Sequence, residues 1–181
     1  MLDTLIARLL LWAGYRSRSL ATNVRQFKAA VAAIEELVAA TPELVLRGRR
    51  PVPAMPGVTP IMRGWSAYMT IDHCNDVHES LLGLLPQLGA GREVDIGDIG
   101  RFDHPAECGP EVMPRFRDLA ARIGDLPQTL SFTGGGTFVH PIFGQLDSRG
   151  GYALVAMHLQ LHVPQIRQSI EINGEASARR A

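Results

Sequence analysis

Residues 151–172 read GYALVAMHLQLHVPQIRQSIEI, a stretch whose apolar pattern is informative about the fold. Its apolar residues recur at spacings of three and four, which is the period of one face of an α-helix. His158 and His162 stand inside that apolar stripe rather than opposite it. The pattern therefore predicts a core helix that carries two histidines toward its neighbours. Because Pro164 lies within the pattern, we expect a kink or a local break there.

Three more stretches show the same helical period. Thr22 or Asn23 begins the first, which ends before Pro42, because the residue before a proline avoids helical geometry. Ser66 is a good N-cap for the second, which is expected to end near Leu85. The chain is thus predicted to be an all-α four-helix bundle with long connecting loops. The four predicted helices cover about residues 22–40, 66–85, 111–123 and, from Ser148 or Gly151, the stretch to Ile172.

Two smaller elements are expected beside the bundle. The segment Asp3–Ala13 has an amphipathic pattern and predicts an extra short N-terminal helix that packs on the bundle or on a second subunit. Leu130–Phe132 and Thr137–His140 flank three consecutive glycines and are candidates for a small β-hairpin. We expect residues 1–181 to form a single domain whose core covers about residues 22–172.

Composition excludes several classes of function. Eighteen basic and eighteen acidic residues give a formal net charge of zero, which argues against general nucleic-acid binding. The apolar run Leu9–Ala13 is far too short to cross a membrane, and no signal peptide is recognised. Two cysteines, Cys74 and Cys108, are too few for a disulfide framework. A soluble cytoplasmic protein with no nucleic-acid or membrane partner is expected.

The histidine pattern points to a metal site. His158 and His162 are one helical turn apart, so both rings can reach one ion at roughly 2.0–2.1 Å. His73 lies on the apolar stripe of another predicted helix. Burying unpartnered imidazoles is unfavourable, and a shared divalent ion would satisfy all three while leaving a position for water or substrate. A polar core network without metal is the alternative.

The remaining histidines and the cysteine beside His73 receive different interpretations. His78 follows His73 by five residues, and we expect it on another face, at the surface. His104 is expected to be structural or solvated. His140 is either a pocket residue above the metal or the hydrogen-bonding anchor of a loop, and the anchor is favoured. Cys74 is expected to be a structural thiol.

Two segments make the sequence familiar. Trp65-Ser66 followed by Ile71-Asp72-His73-Cys74 resembles the second bundle helix of the DinB-like superfamily. His140-Pro-Ile-Phe-Gly-Gln-Leu146, followed by His158-xxx-His162-xx-Gln165, is similar to its last helix and the turn before it. The resemblance covers about residues 22–172 and is nearest to a branch of unknown function.

The resemblance implies a four-helix bundle that binds a divalent metal, often nickel or zinc. One ligand comes from the second helix and two from the last, which here are His73, His158 and His162. It also implies a low-molecular-weight thiol such as bacillithiol or mycothiol as cofactor, a small-molecule substrate and a possible homodimer. Leu161 departs from many relatives, which have a further histidine there, and Pro164 puts the position of Gln165 in doubt.

Three functional hypotheses follow. The first is an enzyme, of the thiol transferase or hydrolase type, whose metal activates a bound water or thiol. The second is a non-catalytic module that binds a metal or another ligand. The third keeps the three histidines free of metal. The sequence offers no obvious general base, because Leu159, Gln160 and Leu161 stand where a metalloprotease motif would place its glutamate.

Overall fold

The computed structural model describes residues 9, 12, 17–95 and 107–179. Four long helices dominate this part of the chain. A four-residue helix, one turn of 3-10 helix and a two-stranded sheet connect them. In chain order the elements are α1 (Leu20–Ala39), α2 (Glu43–Leu46), the 3-10 turn (Met62–Gly64), α3 (Ala67–Gly89), α4 (Val112–Thr129), β1 (Thr137–His140), β2 (Gly144–Asp147) and α5 (Ser148–Ala178).

The four long helices form a closed bundle, as predicted. Each of α1 and α3 packs against both α4 and α5. The two helices expected to carry the histidines, α3 and α5, are therefore neighbours. The interior is filled by large apolar side chains that are almost wholly removed from water, as helices with apolar stripes require. Among them are Phe27, Ile34, Ile71, Leu85, Leu88, Phe116, Ile123, Tyr152 and Leu159.

Polar side chains fix where three of the helices begin. The Ser66 hydroxyl accepts a hydrogen bond from the Met69 backbone N–H at 3.1 Å, so the predicted cap of α3 is confirmed. Ser19 caps α1 in the same way, so the helix begins at Leu20, two to three residues earlier than expected. The Asp147 carboxylate accepts from the Gly150 N–H at 2.7 Å and begins α5 directly at the end of β2. Each cap satisfies a backbone donor that the helix itself leaves unpaired.

The prolines have different effects on the helices. α1 ends before Pro42, as predicted. α3 continues through Pro86 to Gly89, and the Pro86 carbonyl accepts from the Ala90 N–H at 3.0 Å. At Pro164 we expected a kink or a local break, and α5 has no break there but runs on to Ala178. A proline inside a helix costs free energy because it has no backbone N–H and so removes one helical hydrogen bond. Burial of the apolar face of the helix stabilises it by more than this cost.

The predicted hairpin was half right. Thr137–His140 is a strand, but its antiparallel partner is Gly144–Asp147, with Thr137 opposite Asp147. Leu130–Phe132 forms no strand. The segment instead passes closely over the end of α3, where a Cβ atom on Gly89 would meet the Leu130 side chain and the Ser131 carbonyl. Contact with α3 therefore replaces strand pairing.

The N-terminal segment leaves one prediction open. The expected helix over Asp3–Ala13 lies outside the described residues apart from Leu9 and Trp12, both of which are exposed. Within the described ranges, no helix is long and apolar enough to cross a membrane.

Candidate metal centre

Three histidines lie on the apolar faces along which α3 and α5 pack against each other. His73 is buried on α3, in register with Met69 and Val77, which are also buried. On α5, His162 is buried while His158 keeps part of its surface exposed. Because i and i+4 side chains share a helix face, the two rings stand one above the other. We call these three residues the histidine cluster.

The three rings converge on a common point through their Nε2 atoms. The Nε2 atoms of His73 and His158 are 3.1 Å apart, and those of His158 and His162 are 3.2 Å apart. One potential ligand atom from each histidine lies within 4.8 Å of the other two. Ring centroids are separated by 4.5 to 5.2 Å around the triangle. The convergence that helix periodicity predicted is therefore present.

Gln165 fixes the proton on one of these rings. Its Nε2 donates to the Met62 carbonyl at 2.8 Å, which turns its Oε1 toward His162 Nδ1, also at 2.8 Å. An amide oxygen only accepts, so His162 Nδ1 carries the ring proton. The lone pair of His162 is consequently on Nε2, the atom that faces the centre of the cluster. A hydrogen-bonded Nδ1 of this kind is the usual support of a metal-binding imidazole.

The short segment before α3 touches both sides of the cluster. Met62, in the 3-10 turn, holds Gln165 and so supports the ligand helix α5. Three residues later, the Trp65 ring contacts His73 of α3 at a centroid distance of 5.3 Å. One turn of chain thus orients histidines from two different helices. Gln165 belonged to the motif that the sequence displayed, but its partner is a backbone carbonyl, which no side-chain pattern could reveal.

Burial keeps the histidines neutral. It lowers the pKa of His73 to about 3 and that of His162 to about 4, and the hydrogen bond that His162 donates to Gln165 opposes part of the effect on His162. Burial and the neighbouring histidines hold the pKa of His158 well below its ordinary value. At neutral pH the cluster therefore presents neutral imidazoles, each with one nitrogen lone pair, which is the form that binds metal ions.

This donor set fits a divalent ion. Tetrahedral bonds of 2.0–2.1 Å place two ligand nitrogens about 3.3 Å apart, close to the separations found along the cluster. Of the three histidines, only His158 keeps part of its surface exposed to solvent. Among the residues that the structure describes, the group holds three histidines and no carboxylate. Three imidazoles can hold the ion and leave a coordination position open.

The prediction for His78 was wrong. The ring is completely buried, between Phe27 at 5.6 Å and Phe116 at 6.4 Å, and its centroid lies 6.5 Å from that of His158. The spacing of five residues turns His78 to a different side of α3 from His73, but that side is covered by α1 and α4 and lies beside His158.

Other expectations for single residues had mixed outcomes. His140 anchors its turn, since its Nδ1 accepts the N–H groups of Ile142 and Phe143 at 3.1 and 3.3 Å. Cys74 is wholly buried, and burial raises its pKa, as a structural thiol requires. Cys108 is half-buried beside the apolar contact of Met62 with Trp65. His104 lies outside the described residues.

Comparison with known proteins agrees with this architecture. No curated protein matches the chain significantly. The family model of the DinB superfamily matches residues 19–166, a range that includes the histidine cluster and the four bundle helices up to the middle of α5. The match covers most of the sequence, and the chain belongs to the DinB superfamily.

Proposed function

We propose that the histidine cluster binds one divalent metal ion, with zinc or nickel as the first candidates. The observation that carries the proposal is the convergence of the Nε2 atoms of three neutral, mostly buried imidazoles, one of which has its lone pair directed inward by Gln165. Without an ion, hydrogen bonds cannot satisfy all three nitrogens. The Nε2 atom of His158 faces the Nε2 atoms of both His73 and His162, but it carries either one proton or one lone pair and so can form only one ordinary hydrogen bond. One ion satisfies all three nitrogens.

We further propose that the bound ion serves an enzyme of the thiol transferase or hydrolase type, acting on a small molecule. Such an ion supplies Lewis acidity, which lowers the pKa of a water or a low-molecular-weight thiol that reaches it. The protein's own contribution is to keep the three imidazoles neutral by burial and to orient the ring of His162 through Gln165. The ring of His158 is also left partly exposed to solvent. Resemblance to thiol-using members of the superfamily favours a thiol.

A non-catalytic module is the second candidate. It is favoured by the makeup of the cluster, in which no described carboxylate stands beside the three histidines to act as a general base. Asp72, the acidic residue next to His73, is engaged with Arg115 instead. In this case the ion stabilises the packing of α3 against α5, and a second copy of the chain is the candidate partner.

Metal analysis tests the first step. Protein purified without an affinity tag is analysed by mass spectrometry, before and after a strong chelator, for bound divalent metal. About one ion per chain that the chelator removes supports the proposal, and metal-free protein that also fails to take up Zn²⁺ or Ni²⁺ contradicts it.

A chemical screen then separates the two candidates. Formation and release of thiol conjugates are followed with metal-loaded and chelated protein. Turnover that depends on the metal supports the enzyme, whereas metal binding without turnover of any thiol or hydrolysable substrate favours the module.

A further inference from the structure

His78 is a buried polar ring for which the described structure offers no ordinary hydrogen-bond partner. It is completely excluded from solvent, and neither Nδ1 nor Nε2 is bonded to any residue of the described ranges. Neutral imidazole carries one donor and one acceptor, and burying both unsatisfied is unfavourable. An apolar ring would fill the space between Phe27 and Phe116 without that penalty. The position therefore needs a reason to be histidine.

A second unsatisfied atom lies close by. His158 Nδ1 is also buried and has no partner among the described residues. Its Nε2 faces His73 and His162, so Nδ1 is the atom through which the ring can be oriented from behind. Gln165 orients the ring of His162 by accepting a hydrogen bond from its Nδ1. No described side chain forms the corresponding hydrogen bond with Nδ1 of His158.

The two rings are close enough for one water molecule to bridge them. The centroids of His78 and His158 are 6.5 Å apart, with the rings in an edge-to-face arrangement of 72°. An imidazole nitrogen lies about 1.2 Å from its ring centroid, so nitrogens on the facing sides of the two rings are roughly 4–5.5 Å apart, which a water making two hydrogen bonds of about 2.8 Å can span. Water buried in this way normally bridges polar groups that otherwise lack partners.

We propose that His78 is a positioning residue for the ligand His158 and acts through one buried water. His158 Nδ1–H donates to the water, and the water donates to the unprotonated nitrogen of His78. The other nitrogen of His78 keeps its proton, for which the edge-to-face contact with Phe27 offers a weak N–H···π interaction. The bridge fixes the proton of His158 on Nδ1 and its lone pair on Nε2. This inference rests on the proposed metal site.

Substitutions of His78 test the bridge by metal affinity. Zn²⁺ affinity is measured by competition with a chromophoric chelator for the wild-type chain, His78→Phe, His78→Leu and His78→Gln. The two apolar variants are expected to bind Zn²⁺ 10- to 100-fold more weakly, the usual effect of removing a hydrogen bond behind a ligand. His78→Gln retains an acceptor and is expected to restore part of the affinity.

A packing control separates positioning from general disturbance of the core. Phe116→Leu removes a ring that packs against the other side of His78 and is expected to lower thermal stability without changing Zn²⁺ affinity. Zn²⁺ affinity equal to wild type in both apolar variants overturns the inference. A similar loss of affinity in Phe116→Leu also overturns it.

A measurement on chelated protein keeps this test independent of the metal site. Imidazole NMR with ¹⁵N labelling is expected to show a slowly exchanging Nδ1–H on His158 in the wild-type chain. The signal is expected to exchange fast or move to Nε2 in His78→Phe. If the wild-type chain binds no Zn²⁺, the proposed function fails, and the bridge stands or falls by this spectrum. Identical spectra for the two proteins contradict it.

Discussion

Two clusters of polar side chains join α3 to a neighbouring helix. One consists of neutral, mostly buried rings, and the other consists of charged, partly exposed side chains. The histidine cluster joins α3 to α5 with neutral, mostly buried rings. On the outer side of α3, Arg115 of α4 forms ion pairs with three carboxylates of α3, and we call this group the arginine cluster. Its members are Arg115, Asp72, Asp76 and Glu79.

The two clusters differ in whether water can serve as a hydrogen-bond partner for their polar atoms. Arg115 is about 39% exposed, so water screens its ion pairs and can replace any of them. In the histidine cluster, the Nδ1 atom of His158 is buried and has no partner among the described residues. Exposed charges therefore contribute little to stability, whereas the proposed ion would satisfy the inward lone pairs of the histidines. The comparison predicts that the two clusters respond very differently to substitution, acid and chelation.

The largest effect is expected from His158→Ala. Two remaining imidazoles hold a divalent ion poorly, so Zn²⁺ binding should fall below detection in a chelator competition. The increase in thermal stability that the metal gives the wild-type chain should disappear as well, because an ion that binds only the folded state stabilises it. Arg167→Ala, an exposed residue of the same helix, is the matched control. Undiminished binding in His158→Ala removes the metal site.

The second largest effect is expected from acid, which should destabilise the folded chain through its buried histidines. In the folded chain the pKa is about 3 for His73 and His78 and about 4 for His162, against about 6.5 in an unfolded chain. Below pH 6.5 the unfolded state therefore takes up protons that the folded state does not. The free energy of unfolding falls as pH falls, by about 1 kcal/mol or more per histidine between pH 7 and 5.

Denaturant unfolding of chelated protein at pH 7, 6 and 5 measures this decline. The slope should be shallower in His78→Phe, which has one such group fewer. A free energy of unfolding that does not change over this range contradicts the assignment of neutral buried histidines.

A smaller effect is expected for Gln165. Gln165→Leu removes the acceptor for His162 Nδ1 and should lower Zn²⁺ affinity about 10- to 100-fold. Gln165→Glu still accepts that proton but no longer donates to the Met62 carbonyl, so it should keep more affinity than Gln165→Leu while losing stability. Equal losses in the two variants would show that the anchor to Met62, rather than the proton on His162, determines affinity. Gln168→Leu is the control on another face of α5.

The smallest effect is expected in the arginine cluster. Arg115→Met should lower the free energy of unfolding by about 1 kcal/mol or less, with a difference that shrinks at high salt. Zn²⁺ affinity should not change. A loss of affinity comparable to that of Gln165→Leu would mean that the two clusters are coupled through α3, against the contrast drawn above.

Local signals carried most of what the sequence could predict. The apolar stripes placed His73, His158 and His162 on inward faces, and Ser66 marked the start of α3 because a cap needs only its own neighbouring backbone. The same stripes gave the bundle, since four such faces have few other ways to be buried.

What the sequence could not predict depends on contacts between distant segments. Leu130 and Ser131 lie against Gly89 at the end of α3, and β1 pairs with Gly144–Asp147 instead of with their segment. His78 was misplaced because a periodicity argument assigns one buried face to a helix, whereas α3 is covered by α4 and α5 together. The Met62 carbonyl carries no signature in a side-chain pattern at all.

The last turns of α5 extend this dependence on distant segments. The helix continues for three turns past residue 166, where the family match ends, and its Asn173 accepts a hydrogen bond from the Arg50 N–H at 3.4 Å. Val52 is bonded to Arg63 in both directions, at 2.8 and 2.9 Å, and Arg63 adjoins the carbonyl that holds Gln165.

Hydrogen bonds and two short stretches of backbone thus connect the last turns of α5 to Gln165, which accepts from the ring of His162. If His162 holds the proposed ion, we expect deletion of these turns to lower the measured Zn²⁺ affinity, although the deletion removes none of the three histidines.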